Sequence, residues 1–275
     1  MKVENKALLK SEQGDPKVID QCSTEKTSGT FDRSTLPDTI IIHYTGSTTA
    51  ESAIRTLTDP RVKASAHLVV DLDGTVTQLV PFSHVAWHAG VSSYGDRNGI
   101  NKYSIGIEIV NPGYLNQTED GKFYTAYGQE VSASKAEKRK HKNESTERYW
   151  HIYTNEQIVC VEEICQAIKE VFPIHYLLGH DEISPHRKVD PGPCFPIDKF
   201  RSKILDLRSQ DKDDLIETGV VMVDNLNIRS DANMSATKVA LPLKKDTIVR
   251  ILESKEGWYR VKTEMEGWVY GKYIS

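Results

Sequence analysis

The stretch from Gly179 to Cys194, GHDEISPHRKVDPGPC, concentrates residue types that can carry out chemistry. His180 is followed by Lys188 eight residues later and by Asp190 ten residues later, where a Pro-Gly-Pro turn begins. Far upstream, His43 closes an apolar run, TIIIHYT. Two histidines and a carboxylate form a zinc ligand set that leaves one position open for water, and Lys188 would bring a cation to the same metal. These residues predict metal-assisted hydrolysis.

A further carboxylate, Glu108, stands inside an otherwise apolar strand sequence, SIGIEIV. A charge at such a position must face a polar cleft or a partner, because burying it alone is very costly. The sequence leaves two interpretations open, a catalytic carboxylate or an internal salt bridge with Lys188 as a candidate partner. Lys188 itself is either a catalytic cation or a solvated loop residue, and a lone His43 would be most simply a core histidine.

Four more residues are candidates for contacting a substrate. His88, in AWHAG, is a possible metal ligand by residue type. Trp87 before it and the glycine that closes the motif, Gly90, instead favour a cleft wall in which Trp87 and His88 contact substrate. Arg97 and Asn101 are candidates for binding peptide carboxylates, with a polar loop as the alternative.

Bulk properties exclude several classes of protein. The chain has 275 residues, 38% hydrophobic and 27% charged, which is typical of a globular protein with one large or two unequal domains. A net charge of -4 gives no sign of a nucleic-acid partner. No apolar run approaches the roughly 20 residues that span a bilayer, and no signal peptide is visible. The four cysteines lack CxxC spacing and are expected to be free thiols.

The order of elements predicts an α/β domain, a mixed central β-sheet flanked by helices. Residues 1–33 are polar and aperiodic and are expected to form an arm. The domain over 34–205 has buried strands at 39–44 and 104–110, a hairpin at 67–80, and helices capped by Thr48 and Thr154. Its segment 111–150 is expected to be a solvated surface insertion that borders a groove.

The remaining residues predict a second, smaller domain. A polar linker is expected over 206–217 and a small all-β barrel over 218–275, with short strands at 219–223, 227–229, 247–253, 258–263 and 267–270. Trp258 and Trp268 are expected in the core of that barrel, with a ligand platform as the alternative.

The motifs TIIIHYT, SAHLVVDLDGTVTQLVP, AWHAG, NKYSIGIEIVNPG and GHDEISPHRKVDPGP resemble those of the zinc N-acetylmuramoyl-L-alanine amidases of the amidase type 2 family. The resemblance covers about residues 36–202, and the tail, about 218–275, resembles a bacterial SH3-like domain. The resemblance to the amidases implies that His43, His180 and Asp190 bind Zn²⁺, that Glu108 is the general base, and that Lys188 stabilises the oxyanion. An aspartate as third ligand resembles the pattern of the anhydromuropeptide branch, whereas the phage and animal branches use a cysteine at this position.

The resemblance implies cleavage of the amide between N-acetylmuramic acid and L-alanine, with peptidoglycan or a muropeptide as substrate. The SH3-like domain implies attachment to the cell wall, so a periplasmic or secreted monomer is expected. Two rivals are a peptidoglycan recognition module without turnover and a cytoplasmic amidase that recycles anhydromuropeptides.

Overall fold

A computed structural model of the chain describes residues 1–11, 15–32, 36–205, 217–255, 257–262 and 266–270. The chain divides into two compact units, residues 1–205 and 206–275. The first unit contains the strands β1 Lys2–Glu4, β2 Leu8–Lys10, β3 Val18–Asp20, β4 Thr27–Thr30, β5 Thr39–Tyr44, β6 Leu68–Val70, β7 Val76–Gln78, β8 His84–Ala86, β9 Ser93–Tyr94, β10 Arg97–Asn98, β11 Ser104–Ile109, β12 Tyr114–Gln117, β13 Phe123–Tyr124, β14 Glu130–Val131, β15 Ala136–Lys140, β16 Glu147–His151 and β17 Tyr176–Gly179. Its helices are α1 Ala50–Thr58, α2 Asn155–Lys169, α3 His180–Ile183 and α4 Ile197–Ile204, with 3-10 turns at Ile100–Tyr103 and Ala133–Lys135.

A six-stranded mixed sheet organises the first unit, in the order β17-β5-β11-β6-β7-β3. Strands β17, β5, β11 and β6 are parallel, whereas β7 runs antiparallel to β6 and parallel to β3. The main core lies on one face of this sheet against α2 and α4, where apolar side chains are excluded from water. Helix α1 packs through Ala53 on Val69 and Leu79 in a separate apolar cluster. The predicted mixed α/β fold is confirmed.

The N-terminal segment is part of this domain, so the expected arm over residues 1–33 is wrong for its described part. Strand β3 extends the central sheet beside β7, and β4 pairs with β8. Leu9 is buried in the main core, and its backbone N–H donates to Gln78 Oε1 at 2.7 Å. Backbone hydrogen bonds hold these strands, and runs of three or four residues are too short to show a hydrophobic period in sequence.

Helix starts were predicted with mixed success. Thr154 forms the expected capping box with Gln157 at the start of α2. Helix α1 is capped by Thr49 instead of Thr48, because Thr49 has the extended backbone conformation and its side chain accepts the N–H of Ser52 at 3.3 Å. The hydroxyl of Thr48 instead donates to Gln129 Oε1 at 2.7 Å, across to the insertion.

The insertion over 111–150 folds as a five-stranded antiparallel sheet in the order β14-β13-β12-β16-β15. Leu115, Phe123 and Val131 give it an apolar cluster of its own. The charged side chains at 137–140 are exposed, as expected of a solvated run, but the following His141 is buried. The segment is therefore an ordered β-sheet with its own apolar cluster and not a loose surface flap.

The second unit has a four-stranded antiparallel sheet, β18 Glu217–Val220, β19 Ile248–Lys255, β20 Trp258–Lys262 and β21 Glu266–Tyr270, in that order. Four of the five predicted strands are present with small shifts, whereas 227–229 has an isolated bridge between Arg229 and Lys238. Trp258 is buried, as predicted, while the side chain of Trp268 and the linker over 206–216 lie outside the described residues.

All four cysteines are free thiols, as the sequence predicts. In the described part of the chain, no helix has the length and apolar character needed to span a bilayer.

Candidate metal centre and active site

Three buried side chains converge at one end of the central sheet. His43 Nδ1 lies 2.9 Å from His180 Nδ1 and 2.9 Å from Asp190 Oδ2. His180 Nδ1 is likewise 2.9 Å from Asp190 Oδ2. The sequence-predicted ligands are thus brought together, and they are hereafter called the His–His–Asp triad.

Adjacent parallel strands explain the convergence. His43 stands near the carboxyl end of β5, and His180 follows β17, the strand paired with β5. Asp190 returns to them because its carbonyl accepts the N–H of Asp181 at 2.9 Å. The hydroxyl of Tyr153 donates to the Pro191 carbonyl at 2.7 Å and holds the turn that follows.

The hydrogen-bond network assigns the tautomers of His180 and His43. His180 Nε2 lies 3.1 Å from the Ala89 carbonyl, which only accepts, so Nε2 carries the hydrogen. Ser104 Oγ donates to the Ile100 carbonyl and accepts from His88 Nε2 at 3.2 Å. His88 Nδ1 is then the acceptor for His43 Nε2–H at 3.0 Å.

His88 therefore lies behind His43, and it also lines the cavity that adjoins the triad, so its contact with substrate stays a prediction. Gly106 makes room for it, because a Cβ at this position would stand 2.3 Å from the His88 ring. Burial, with the neighbouring histidines, lowers the pKa of His88 well below its ordinary value and keeps the ring neutral. Such a ring orients a ligand histidine and fixes its tautomer.

The charge states of the triad suit a metal ligand set. Burial lowers the pKa of His43 to about 4, so the ring is neutral. Burial acts to raise the pKa of Asp190, but His180 and His43 hold it below its ordinary value, so the group is a carboxylate. The lone pairs of two Nδ1 atoms and a carboxylate oxygen then face one another, an arrangement that a cation between them relieves.

The triad fits zinc. Its ligand atoms lie within 4.8 Å of one another, and tetrahedral Zn²⁺ places its ligands about 3.3 Å apart. Two imidazole nitrogens and one carboxylate oxygen are ligands zinc accepts, with a fourth position for water or substrate.

Glu108 shares a face of the sheet with His43, because the two residues are paired in register on the parallel strands β11 and β5. Its Oε2 is buried without a hydrogen-bond partner among the described residues. Burial, then the charge of Asp190, raises the pKa of Glu108 well above its ordinary value, and Lys188 acts in the opposite direction. A carboxyl whose pKa is raised in this way holds a proton more readily than an ordinary glutamate.

A cavity of about 300 Å³ adjoins the triad, and Glu108, Arg187 and Lys188 contribute to its lining. The Lys188 backbone N–H donates to the Ser184 carbonyl at 2.9 Å, which fixes the lysine two residues before Asp190. The sequence also left open an internal salt bridge between Glu108 and Lys188, but Glu108 Oε2 has no such partner among the described residues. Both groups are available to a ligand in this cavity.

The other predicted substrate contacts have intramolecular partners. Arg97 donates to both oxygens of Asp38 at 2.9 Å. Asn101 Oδ1 accepts the backbone N–H groups of His88 and Ala89, and Trp87 Nε1 donates to Ser28 Oγ at 2.7 Å. Asn101 thus supports the backbone at His88, whereas Arg97 is paired with Asp38, and carboxylate binding by either residue stays a prediction.

Sequence reasoning missed the contact that fixes the ligand loop to the insertion. His141 Nε2 lies 2.9 Å from Asp181 Oδ2, and Lys142 Nζ lies 3.1 Å from Asp181 Oδ1. Asp181 is adjacent to the triad residue His180 in the chain. The available sequence signal was His141 inside the charge run KAEKRKHK, because a run of solvated charged residues does not require a histidine.

Comparisons with known proteins show which families the chain resembles. Residues 33–193 match the N-acetylmuramoyl-L-alanine amidase family, and residues 224–275 match the bacterial SH3 domain family. The 1,6-anhydro-N-acetylmuramyl-L-alanine amidase AmpD of Escherichia coli K12 is 33% identical over 140 residues, 51% of this chain and 58% of that protein. The N-acetylmuramoyl-L-alanine amidase AmiD of the same strain is 28% identical over 166 residues, 57% of this chain and 49% of that protein.

A solved structure of Escherichia coli AmiD with anhydro-N-acetylmuramic acid-L-Ala-D-gamma-Glu-L-Lys aligns with a TM-score of 0.46 and 26% identity, over 64% of this chain and 59% of that one. The chain spans about half the length of the relatives it matches. The family match over residues 33–193 nevertheless covers more than half of the chain and includes the whole triad. The protein belongs to the N-acetylmuramoyl-L-alanine amidase family.

Proposed function

We propose that this chain is a zinc-dependent hydrolase that cleaves the amide between the lactyl group of N-acetylmuramic acid and L-alanine. The observation that carries the proposal is a buried His–His–Asp triad with lone pairs turned inward, beside a carboxyl oxygen of Glu108 that has no hydrogen-bond partner in the described part of the chain. His43, His180 and Asp190 would hold the metal. When bound, zinc supplies Lewis-acid activation of water and of the scissile carbonyl.

The remaining steps belong to side chains of the protein. Glu108 accepts the proton of the attacking water and returns it to the leaving amine of L-alanine. Its raised pKa suits a group that must hold that proton between the two steps. Lys188 supplies a positive charge to the oxygen of the tetrahedral intermediate.

The second unit supports insoluble peptidoglycan as the substrate. Its match to the bacterial SH3 domain family favours attachment to the cell wall, outside the cytoplasm. The alternative substrate is a soluble anhydromuropeptide, since the relative AmpD is named for the 1,6-anhydro sugar. The resemblance to that branch implies Asp190 as the third ligand. A freely diffusing fragment gives no reason for a wall-binding domain.

Mass spectrometry of reaction products tests the proposal. Zinc-loaded protein should release stem peptides that begin with L-alanine from intact sacculi and leave the glycan strands uncut. A parallel reaction with soluble anhydromuropeptide ranks the two substrates. Binding to sacculi without release of peptide from either substrate would favour a recognition module and contradict the proposal.

A further inference from the structure

A second cavity, of about 470 Å³, continues from the triad. It shares Thr45, Gly46, Leu57 and Glu108 with the metal-side cavity, so the two are contiguous around Glu108. Its volume lies in the range of small-ligand sites, about 300–1,000 Å³. One wall is a face of α1 together with the residues before it, and the other is the turn at 125–129 of the insertion. We call this second cavity the hydroxyl groove.

The insertion wall is fixed in place and not a loose loop. Thr125 is buried, and its hydroxyl accepts the N–H groups of Tyr127 and Gln129 at 3.3 and 3.2 Å. Its backbone accepts from Gly128 at 3.0 Å, where φ is +79° and glycine is favoured. The bond from Thr48 Oγ1 to Gln129 joins this turn to the start of α1.

The chemistry of the groove suits a neutral polyhydroxylated ligand. Hydroxyl groups predominate among its polar lining residues, which are Thr45, Ser47, Thr48, Ser52, Thr56, Thr125, Tyr127 and Gln129. Glu108, at the triad end, is the sole Asp, Glu, Lys or Arg among the described residues that line it. The carboxylates of a stem peptide would find no cation here, whereas Arg187 and Lys188 line the metal-side cavity.

Tyr127 adds an aromatic surface to this wall. Its side chain is 86% exposed although it lines the groove, and it is among the most exposed large hydrophobic residues of the described chain. A sugar ring presents an apolar C–H face and polar edges. The C–H face can lie on the tyrosine ring while the edges exchange hydrogen bonds with the surrounding hydroxyls.

We infer that the hydroxyl groove binds the N-acetylated amino-sugar ring of the substrate, with Tyr127 under its apolar face, so that the insertion sets the preference for a sugar-bearing substrate. This inference rests on the proposed function, because the sugar is joined through its lactyl group to the bond cleaved at the triad. The groove meets the triad cavity at Glu108, where that bond must lie.

The test compares two substrates that differ in the sugar alone. One is N-acetylmuramoyl-L-Ala-D-isoGln-L-Lys, and the other is D-lactoyl-L-Ala-D-isoGln-L-Lys, which keeps the scissile amide and the peptide. Tyr127→Ala should raise KM for the muramoyl peptide about 10-fold and leave KM for the lactoyl peptide unchanged. Tyr127→Phe, which retains the aromatic face, should restore most of the lost affinity.

Glu119→Ala is the matched control, since Glu119 is exposed in the turn between β12 and β13, at the opposite end of the β13 strand from the Tyr127 turn. It should leave KM for both substrates at the wild-type value. If the lactoyl peptide is hydrolysed too slowly to time, its inhibition constant against the muramoyl peptide replaces KM. Equal effects of Tyr127→Ala on both substrates, or no effect on either, would overturn the inference. Failure of the wild-type zinc-loaded protein to cleave the muramoyl peptide would instead overturn the proposed function.

Discussion

His88 holds His43 from behind, with Nδ1 of the first ring 3.0 Å from Nε2 of the second. His88 Nε2 in turn bonds to Ser104 Oγ, which donates to the Ile100 carbonyl. This chain of hydrogen bonds fixes the His43 ring with its Nδ1 toward the triad. Both His43 and His88 are buried.

Removing this support should weaken metal binding. His88→Ala should lower zinc affinity by about 10- to 100-fold, as loss of a ligand's hydrogen-bond partner does elsewhere. Competition with a chromophoric chelator measures the affinity. His175→Ala is the control, because His175 is exposed and should retain wild-type affinity. Unchanged affinity in His88→Ala would remove its orienting role.

The ligand set itself can be tested by metal analysis. His43→Ala, His180→Ala and Asp190→Ala should each lose zinc, since three protein ligands are the minimum for a site of this kind. Cys194→Ser is the control, because this thiol lies in the same loop outside the triad. Full zinc occupancy in any of the three alanine variants would exclude that residue as a ligand.

Glu108→Gln and Lys188→Ala should bind zinc and lose rate. Loss of a general base costs about 10²–10⁴-fold and loss of an oxyanion donor about 10²–10³-fold. The decrease should appear in kcat more than in KM, because both groups act mainly in the transition state. Lys102→Ala, an exposed lysine elsewhere in the unit, should retain full activity. Wild-type kcat in zinc-loaded Glu108→Gln would refute its role as base.

Acid should destabilise the zinc-free fold through His67. Burial lowers its pKa from 6.5 to about 4, and its ring accepts the Gly106 N–H while it donates to the His84 carbonyl. The unfolded chain therefore binds more protons between those two pH values, and the free energy of unfolding falls as pH falls through 6.5 toward 4, by about 3 kcal/mol from this group.

Urea unfolding of the chelator-treated protein at pH 7.5, 5.5 and 4.5 measures that dependence. His67→Gln should be less stable at pH 7.5 and should lose less stability on acidification than the wild type. His175→Gln should follow the wild-type curve. An equally steep decrease in His67→Gln would show that other groups cause the acid sensitivity.

The tail gives a prediction about insoluble substrate. A chain of residues 1–210 should hydrolyse soluble muropeptides at the full-chain rate, because the triad, Glu108 and the hydroxyl groove all lie within the first compact unit. It should act more slowly on sacculi, since a wall-binding domain raises the local concentration of substrate. Equal clearance of sacculi by both chains, with no sedimentation of residues 211–275 with the wall, would contradict an anchoring role.

The sequence alone was sufficient to predict the three side chains that converge in the triad and the mixed α/β fold. His43, His180 and Asp190 stand at the ends of apolar runs or in a Pro-Gly turn, and local patterns of that kind determine where strands stop. Glu108 could also be singled out from the sequence, because burying an unpaired carboxylate in an apolar strand such as SIGIEIV costs much free energy.

Tertiary structure decided what surrounds those residues. The role of His88 depends on the space left by Gly106, and Arg97 and Asn101 have partners up to 59 residues away that no local pattern specifies. The N-terminal strands and the insertion sheet likewise depend on pairing between distant segments. Local spacing fixes which residue types can act and where elements end, whereas long-range packing and hydrogen bonding decide which side chains meet.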